Sequence, residues 1–230
     1  MLSHSRHLAL RGDGTMQSKS DIDALIDGFA SFKQEYLARH HGQQKLKMQN
    51  LSTPRVMVMG CCDSRFDPAI ITNSDAGDIF VVRNVANLIP PCQPDKHYQE
   101  TPAALEYGVC YLDVEELIVM GHGRCNGLRT LLHRLIDGSL ASHPLAEWTE
   151  IAEQAAEQVL RAGFRSDLDW QVDQLSRKAL SLSLNNLERY PFIAARLNEG
   201  TLRLRGWYFD PDSAALEELD RASGQFRWLC

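Results

Sequence analysis

The sequence predicts an α/β fold, with a central, mainly parallel β-sheet flanked by helices and an N-terminal helical arm. Three observations predict it. Short apolar runs ending at glycine recur through the first half of the chain. Segments with apolar residues every three or four positions lie between and after them. The two loops richest in chemistry-bearing side chains each begin directly after an apolar run, as expected where ligands gather beyond the carboxyl ends of parallel strands.

Residues 21–40 (DIDALIDGFASFKQEYLARH) read as an amphipathic helix. Ile22, Leu25, Ile26, Phe29, Phe32 and Leu37 recur at helical spacing, and Asp21 is the expected cap. A polar linker of Gln, Lys and Asn follows. Residues 55–60, 78–82 and 117–121 are the buried strands. Residues 101–110 read as a helix with Pro102 in its first turn, and 128–136 as an amphipathic one. Residues 145–160 and 168–187 are helices laid over a core, the second through a stripe of Leu168, Val172, Leu175, Ala179 and Leu182. Residues 201–210 alternate like a strand, Asp210-Pro211-Asp212 turns the chain, and the remainder forms a closing hairpin around Ser223 and Gly224. Residues 1–20 are expected to be a disordered leader, with Met16 a candidate start, and 21–230 a single domain.

The composition excludes several partners. The formal charge is −6 and the basic residues are scattered, which disfavours nucleic acid. No apolar run approaches the roughly 20 residues that span a bilayer. The first sixteen residues lack an apolar signal core, so a cytoplasmic location is expected. Six cysteines could pair, but in such a compartment they stay reduced. Cys61 and Cys125 lie in Gly-rich loops beside Asp, Arg and His, whereas Cys92, Cys110 and Cys230 have no such company.

Those loops are Gly60-Cys61-Cys62-Asp63-Ser64-Arg65 and Gly121-His122-Gly123-Arg124-Cys125-Asn126-Gly127. Two thiolates and an imidazole suit tetrahedral zinc, and three protein ligands leave a fourth position for water. A helix starting near Arg124 would favour the Cys125 thiolate. Two thiolates cancel the charge of Zn²⁺, so the water is acidified less than at an all-imidazole site, which brings it to about 7. Asp63 is placed to offset this by accepting a hydrogen bond, with Arg65 binding it bidentately and keeping it ionised. Alternatively, Asp63 itself ligates the metal and closes the site. The plainer readings are a structural zinc site, a redox pair at Cys61–Cys62, which vicinal geometry strains, and an ordinary loop ion pair. Cys62 is expected to be a buried small residue without a chemical role.

These two loops resemble the C-x-D-S-R and G-H-x-x-C-x-G halves of the β-class carbonic anhydrase signature. Arg83-Asn84-Val85-Ala86-Asn87 resembles that family's R-N-x-x-N loop, and residues 181–187 and 206–210 are similar to its C-terminal region. The resemblance implies reversible hydration of CO₂ to bicarbonate, with Zn²⁺ on Cys61, His122 and Cys125 and with Asp63 and Arg65 as the catalytic dyad. It also implies a homodimer or homotetramer in which the N-terminal helix packs on a neighbouring subunit. Two other functions are weighed against it: a CS₂ or COS hydrolase on the same fold, and a zinc-stabilised binding module without turnover.

Departures are Gly123 where a small hydroxyl residue is common, Asn126 where Gly is usual, and Phe66 in place of Val, which narrows the pocket. Asn tolerates left-handed backbone geometry better than most residues, so the loop is expected to be preserved. Val58 stands where some members place a Trp of a second, inhibitory bicarbonate site, and it has no N–H to donate. That site is therefore expected to be absent. His97 and Tyr98 are candidates for a proton relay, with a plain surface role the preferred reading.

Overall fold

The structure, a computed structural model, describes residues 8–10, 16–18, 20–39, 53–93, 100–138, 143–162 and 167–230. They belong to two units, Met1–Leu51 and Ser52–Cys230. The expected linker at residues 40–52, apart from its edges, and the relay candidates His97 and Tyr98 lie outside the described residues. So does most of the expected leader.

In the first unit, β1 (Leu8–Leu10) pairs antiparallel with β2 (Met16–Ser18), and α1 (Asp21–Arg39) follows. Asp21 is not the cap of α1. Ser20 Oγ accepts the Asp23 amide at 3.2 Å while the Asp23 carboxylate accepts from the Ser20 amide and hydroxyl. The two residues thus satisfy each other's free donors, leaving Asp21 in the first turn near the positive helix end. Ile22, Leu25, Ile26, Phe29 and Phe32 are each more than half exposed.

The second unit is built on a six-stranded sheet. Its strands are β3 (Val56–Cys61), β4 (Ile79–Asn84), β5 (Glu116–His122), β6 (Arg203–Phe209), β7 (Leu216–Asp220) and β8 (Gln225–Trp228), in the order β4-β3-β5-β6-β7-β8. The first four are parallel, and the last two return as antiparallel strands. From β3 the chain crosses first to one side, to β4, and then to the other, to β5. The reversal between β3 and β5 creates a crevice at their carboxyl ends. Side chains alternate across the sheet. Met57, Met59, Leu117 and Val119 enter the main core, while Val58, Ile118 and Met120 pack with Trp207 on the opposite face.

The helices are α2 (Pro68–Ile71), α3 (Glu100–Glu106), α4 (Asn126–Asp137), α5 (His143–Thr149), α6 (Glu153–Arg161), α7 (Leu168–Leu187) and α8 (Pro191–Asn198). The predicted helix at 101–110 is thus α3 continued by a wider π-turn at Tyr107–Tyr111, and that at 145–160 is broken at Glu150–Ala152. The long α7 buries Val172, Leu175, Ala179, Leu180, Leu184 and Leu187, but not Leu182, which the predicted stripe included. It lies close on the sheet because Gly121 and Gly206 have no side chains. A Cβ at Gly206 would come within 2.6 Å of Leu180 Cδ2 and 2.7 Å of Leu184 Cδ1.

Polar residues of α7 also hold the segment after β4. Ser183 Oγ accepts the Ile89 amide at 3.1 Å and donates to the Asn87 carbonyl, and Asn186 donates to the Ile89 carbonyl. Asn84 reaches forward to the Leu88 carbonyl. Four backbone groups of a buried, irregular stretch are thereby satisfied without water. Ser183→Ala would leave the Ile89 amide and Asn87 carbonyl short of a partner. We expect a loss of about 1–3 kcal/mol, seen as a lower urea midpoint at unchanged slope. An unmoved midpoint would show that this segment contributes nothing to stability.

Candidate metal centre

Parallel pairing of β3 with β5 puts Cys61 and His122 at the same end of neighbouring strands. The chain leaves β5 through a tight loop and starts α4 at Asn126, so Cys125 falls at the N-cap of that helix. The potential ligand atoms of Cys61, His122 and Cys125 all lie within 4.8 Å of one another, and the two sulfurs are 3.9 Å apart. All three residues are buried, at 5%, 3% and 1% exposure.

The chemistry of this set fits a metal. His122 Nδ1 lies 2.8 Å from the Gly123 carbonyl, which can only accept, so Nδ1 carries the proton. Nε2 is left with its lone pair, buried and with no hydrogen-bond partner. An orphaned buried acceptor beside two thiols is costly unless something binds there. The thiols share their protons unequally. The hydrogen bond from Cys125 pulls the Cys61 thiol far down, against burial. Sharing with Cys61 and burial push Cys125 up, while the amides of Gly127 and Leu128 at the start of α4 work the other way. A dication held by the two sulfurs would displace their protons.

Asp63 sits beside the cluster, its amide donating to Cys61 Sγ at 3.4 Å. Arg65 grips its carboxylate in a fork, Nε to Oδ1 at 2.9 Å and Nη2 to Oδ2 at 2.7 Å, and the Arg65 amide adds a third bond to Oδ1. The Asp63 side chain is only 6% exposed, against 48% for Arg65. Hydrogen bonds from the Arg65 side chain hold the Asp63 carboxyl down to about 2, against the opposing effect of burial. The same guanidinium donates to the Arg124 carbonyl at 3.0 Å, tying the two predicted loops together.

The sequence did not disclose what Arg83 does. From β4 its Nε donates to the Cys61 carbonyl, Nη2 to the carbonyls of Asp63 and Phe66, and Nη1 to the Asp67 carboxylate. One planar guanidinium therefore fixes the backbone of the whole first loop. Phe66 is buried and stacks on His122, with ring centroids 4.0 Å apart, and meets Phe209 edge-on at 5.7 Å. A cavity of about 10 Å³ remains beside them, lined by Cys61, Phe66, Gly121, His122 and Phe209 among others.

One expectation needs correction. Cys62 is exposed: it lies one residue past the end of β3, a strand buried on both faces, where that cover has ended. In the second loop Arg124 takes the left-handed conformation, at φ 54°, and Asn126 opens α4. Nuclear magnetic resonance titration of metal-free protein checks the dyad directly. The Asp63 carboxyl should titrate near 2 in the parent. In Arg65→Ala it should rise toward the ordinary carboxyl range of about 4, because burial is then opposed by the backbone amide of residue 65 but no longer by the guanidinium. An unmoved value would mean that Arg65 does not hold Asp63 ionised.

Comparison with known proteins places this arrangement in context. The family profile described as carbonic anhydrase matches residues 56–216, well over half of the chain. A carbonic anhydrase from Synechococcus elongatus is 32% identical over 202 residues, which cover 86% of this chain and 72% of that protein. The chloroplastic β carbonic anhydrase 5 of Arabidopsis thaliana is 32% identical over 196 residues, covering 84% of this chain and 64% of that protein. Among solved structures, the β-carbonic anhydrase CcaA superimposes with a TM-score of 0.79 at 27% identity, covering 91% of this chain and all of its own.

Proposed function

Because the chain belongs to the β-class carbonic anhydrase family, we propose that Cys61, His122 and Cys125 hold a zinc ion and that the chain catalyses reversible hydration of CO₂ to bicarbonate and a proton. The observation that carries the ligand reading is the buried, unpartnered Nε2 of His122 beside two cysteine sulfurs. Zinc in this set supplies the Lewis acidity that makes water a nucleophile near neutral pH. The Gly123 carbonyl keeps the His122 tautomer that offers Nε2. Asp63, ionised and gripped by Arg65, accepts a hydrogen bond from the nucleophile and orients it. Phe66 and Phe209 give the site an apolar wall that keeps out bulk water.

We infer in addition that the ground state leaves Asp63 on Arg65 rather than on the metal, and that no inhibitory bicarbonate site forms beside Val58. Support comes from the complete commitment of the Arg83 nitrogens to the first loop. The test is stopped-flow CO₂ hydration with zinc content measured before and after chelation. Chelation should abolish turnover, and Cys61→Ser and His122→Ala should lose zinc and activity together. Arg65→Ala and Asp63→Asn should fall at least tenfold with zinc retained, while Cys62→Ala keeps both. Added bicarbonate should slow the rate without cooperativity. Full activity in zinc-free protein, or in either dyad variant, would sink the mechanism.

A homodimer or homotetramer is the assembly we propose, supported by the exposed apolar side chains of Ile22, Leu25, Ile26 and Phe29 on α1. The chain is proposed to work in the cytoplasm, where its six free cysteines would stay reduced. Light scattering should give a multiple of the 25.9 kDa chain. Phe29→Glu with Ile26→Glu should reduce it toward one chain, and a monomeric parent would overturn the assembly.

A further inference from the structure

The peptide unit between Gly123 and Arg124 is pinned at both ends. Its carbonyl oxygen accepts from His122 Nδ1 at 2.8 Å, which sets the ring and leaves Nε2 for a metal. Its N–H donates to Oδ1 of Asp173, on α7, at 2.7 Å. The next carbonyl along, that of Arg124, receives the Arg65 guanidinium. A single carboxylate far along the chain thus touches the loop at the peptide that orients one candidate ligand, one residue before the carbonyl that docks the dyad.

The loop has reason to need such a tether. Arg124 sits at φ 54°, a left-handed conformation that is unfavourable for a side-chain-bearing residue. Its neighbour Gly123 has its own amide on the Phe209 carbonyl at 2.9 Å. A Cβ at Gly123 would lie 2.9 Å from Pro211 Cδ, 3.1 Å from the Tyr208 hydroxyl and 3.2 Å from Asp173 Oδ1. The glycine is therefore matched to the close approach of Asp173. The Arg124 side chain pairs with Asp212 at 2.6 Å, which leaves the amide, not the guanidinium, as the contact with Asp173.

We propose that Asp173 is a positioning residue for the metal centre: by accepting the Arg124 amide it fixes the plane of the Gly123–Arg124 peptide, and through the Gly123 carbonyl it fixes the tautomer and direction of His122. The inference rests on the reading of His122 as a zinc ligand. What it requires of residue 173 is a hydrogen-bond acceptor at the right reach, not a charge. Asparagine supplies that acceptor, and alanine does not.

The experiment compares Asp173→Ala, Asp173→Asn and Asp173→Ser with the parent. Serine is one bond too short to reach the amide and replaces alanine if that variant does not fold. Zinc affinity of the metal-free proteins is measured by competition with a chromogenic chelator, and the His122 tautomer by ¹⁵N shifts in the same metal-free samples. Alanine and serine should bind zinc at least tenfold more weakly and show mixed tautomers. Asparagine should stay within about threefold of the parent and keep the single Nδ1–H form. Parent-like affinity and a single tautomer in the alanine or serine variant would overturn the proposal, as would an asparagine variant as weak as alanine. A parent that takes up no zinc would instead remove the ligand reading, and the tautomer comparison alone would then decide the role of Asp173.

Discussion

Everything chemical in this molecule depends on the parallel pairing of β3 with β5. The two strands are hydrogen-bonded in register from Val56 opposite Glu116 to Gly60 opposite Met120, so their last residues emerge side by side. Cys61 and His122 meet there without either loop having to search for the other. Slipping that register by one residue would exchange the faces of every side chain and turn the cysteine out of the crevice. The buried methionines, valines and leucines on both faces of these strands are what forbid the slip.

Around that fixed point most polar groups are satisfied, and His122 Nε2 is among the few buried atoms of the described residues that are not. Arg83 takes up three carbonyls and a carboxylate of the first loop, and Ser183 and Asn186 take up the backbone after β4. Arg65 saturates one side of Asp63 and reaches across to the second loop. Within this closely bonded surround, the His122 Nε2 remains unpaired. A buried acceptor left alone amid so many satisfied neighbours reads as a position kept for a ligand, because an apolar replacement would otherwise be the cheaper solution.

The sheet and the candidate ligands were legible because both are local signals. Apolar runs stopped at Gly60 and Gly121 gave the strands, and Cys, His, Asp and Arg directly after them gave the cluster. Helix faces were legible only roughly. On α7 the buried face takes in Leu180, Ser183, Leu184 and Asn186 rather than Leu182, because the sheet and the 87–90 segment select polar residues that hydropathy assigns to water. The short α8, between Tyr190-Pro191 and the left-handed Gly200, carried too few turns to show a period. Cys62 was misplaced because β3 is buried on both faces and nothing local shows that the cover ends with the strand, one residue before it. The left-handed Arg124 was not legible at all. What it contacts is Asp173, forty-nine residues away, and no local preference anticipates an arginine there.

The Arg83 clamp sets a limit on how this sequence can vary. Its four partners around the first loop lie on Nε, Nη1 and Nη2, three nitrogens held in one plane. Lysine carries the same charge, but it concentrates its donors on one atom at the end of a flexible stem. It could neutralise Asp67 or serve a carbonyl, but could not span the loop from Cys61 to Asp67. At residue 83 the exchange that preserves charge is therefore not conservative, and the side chain is constrained by the directions of its bonds more than by its sign.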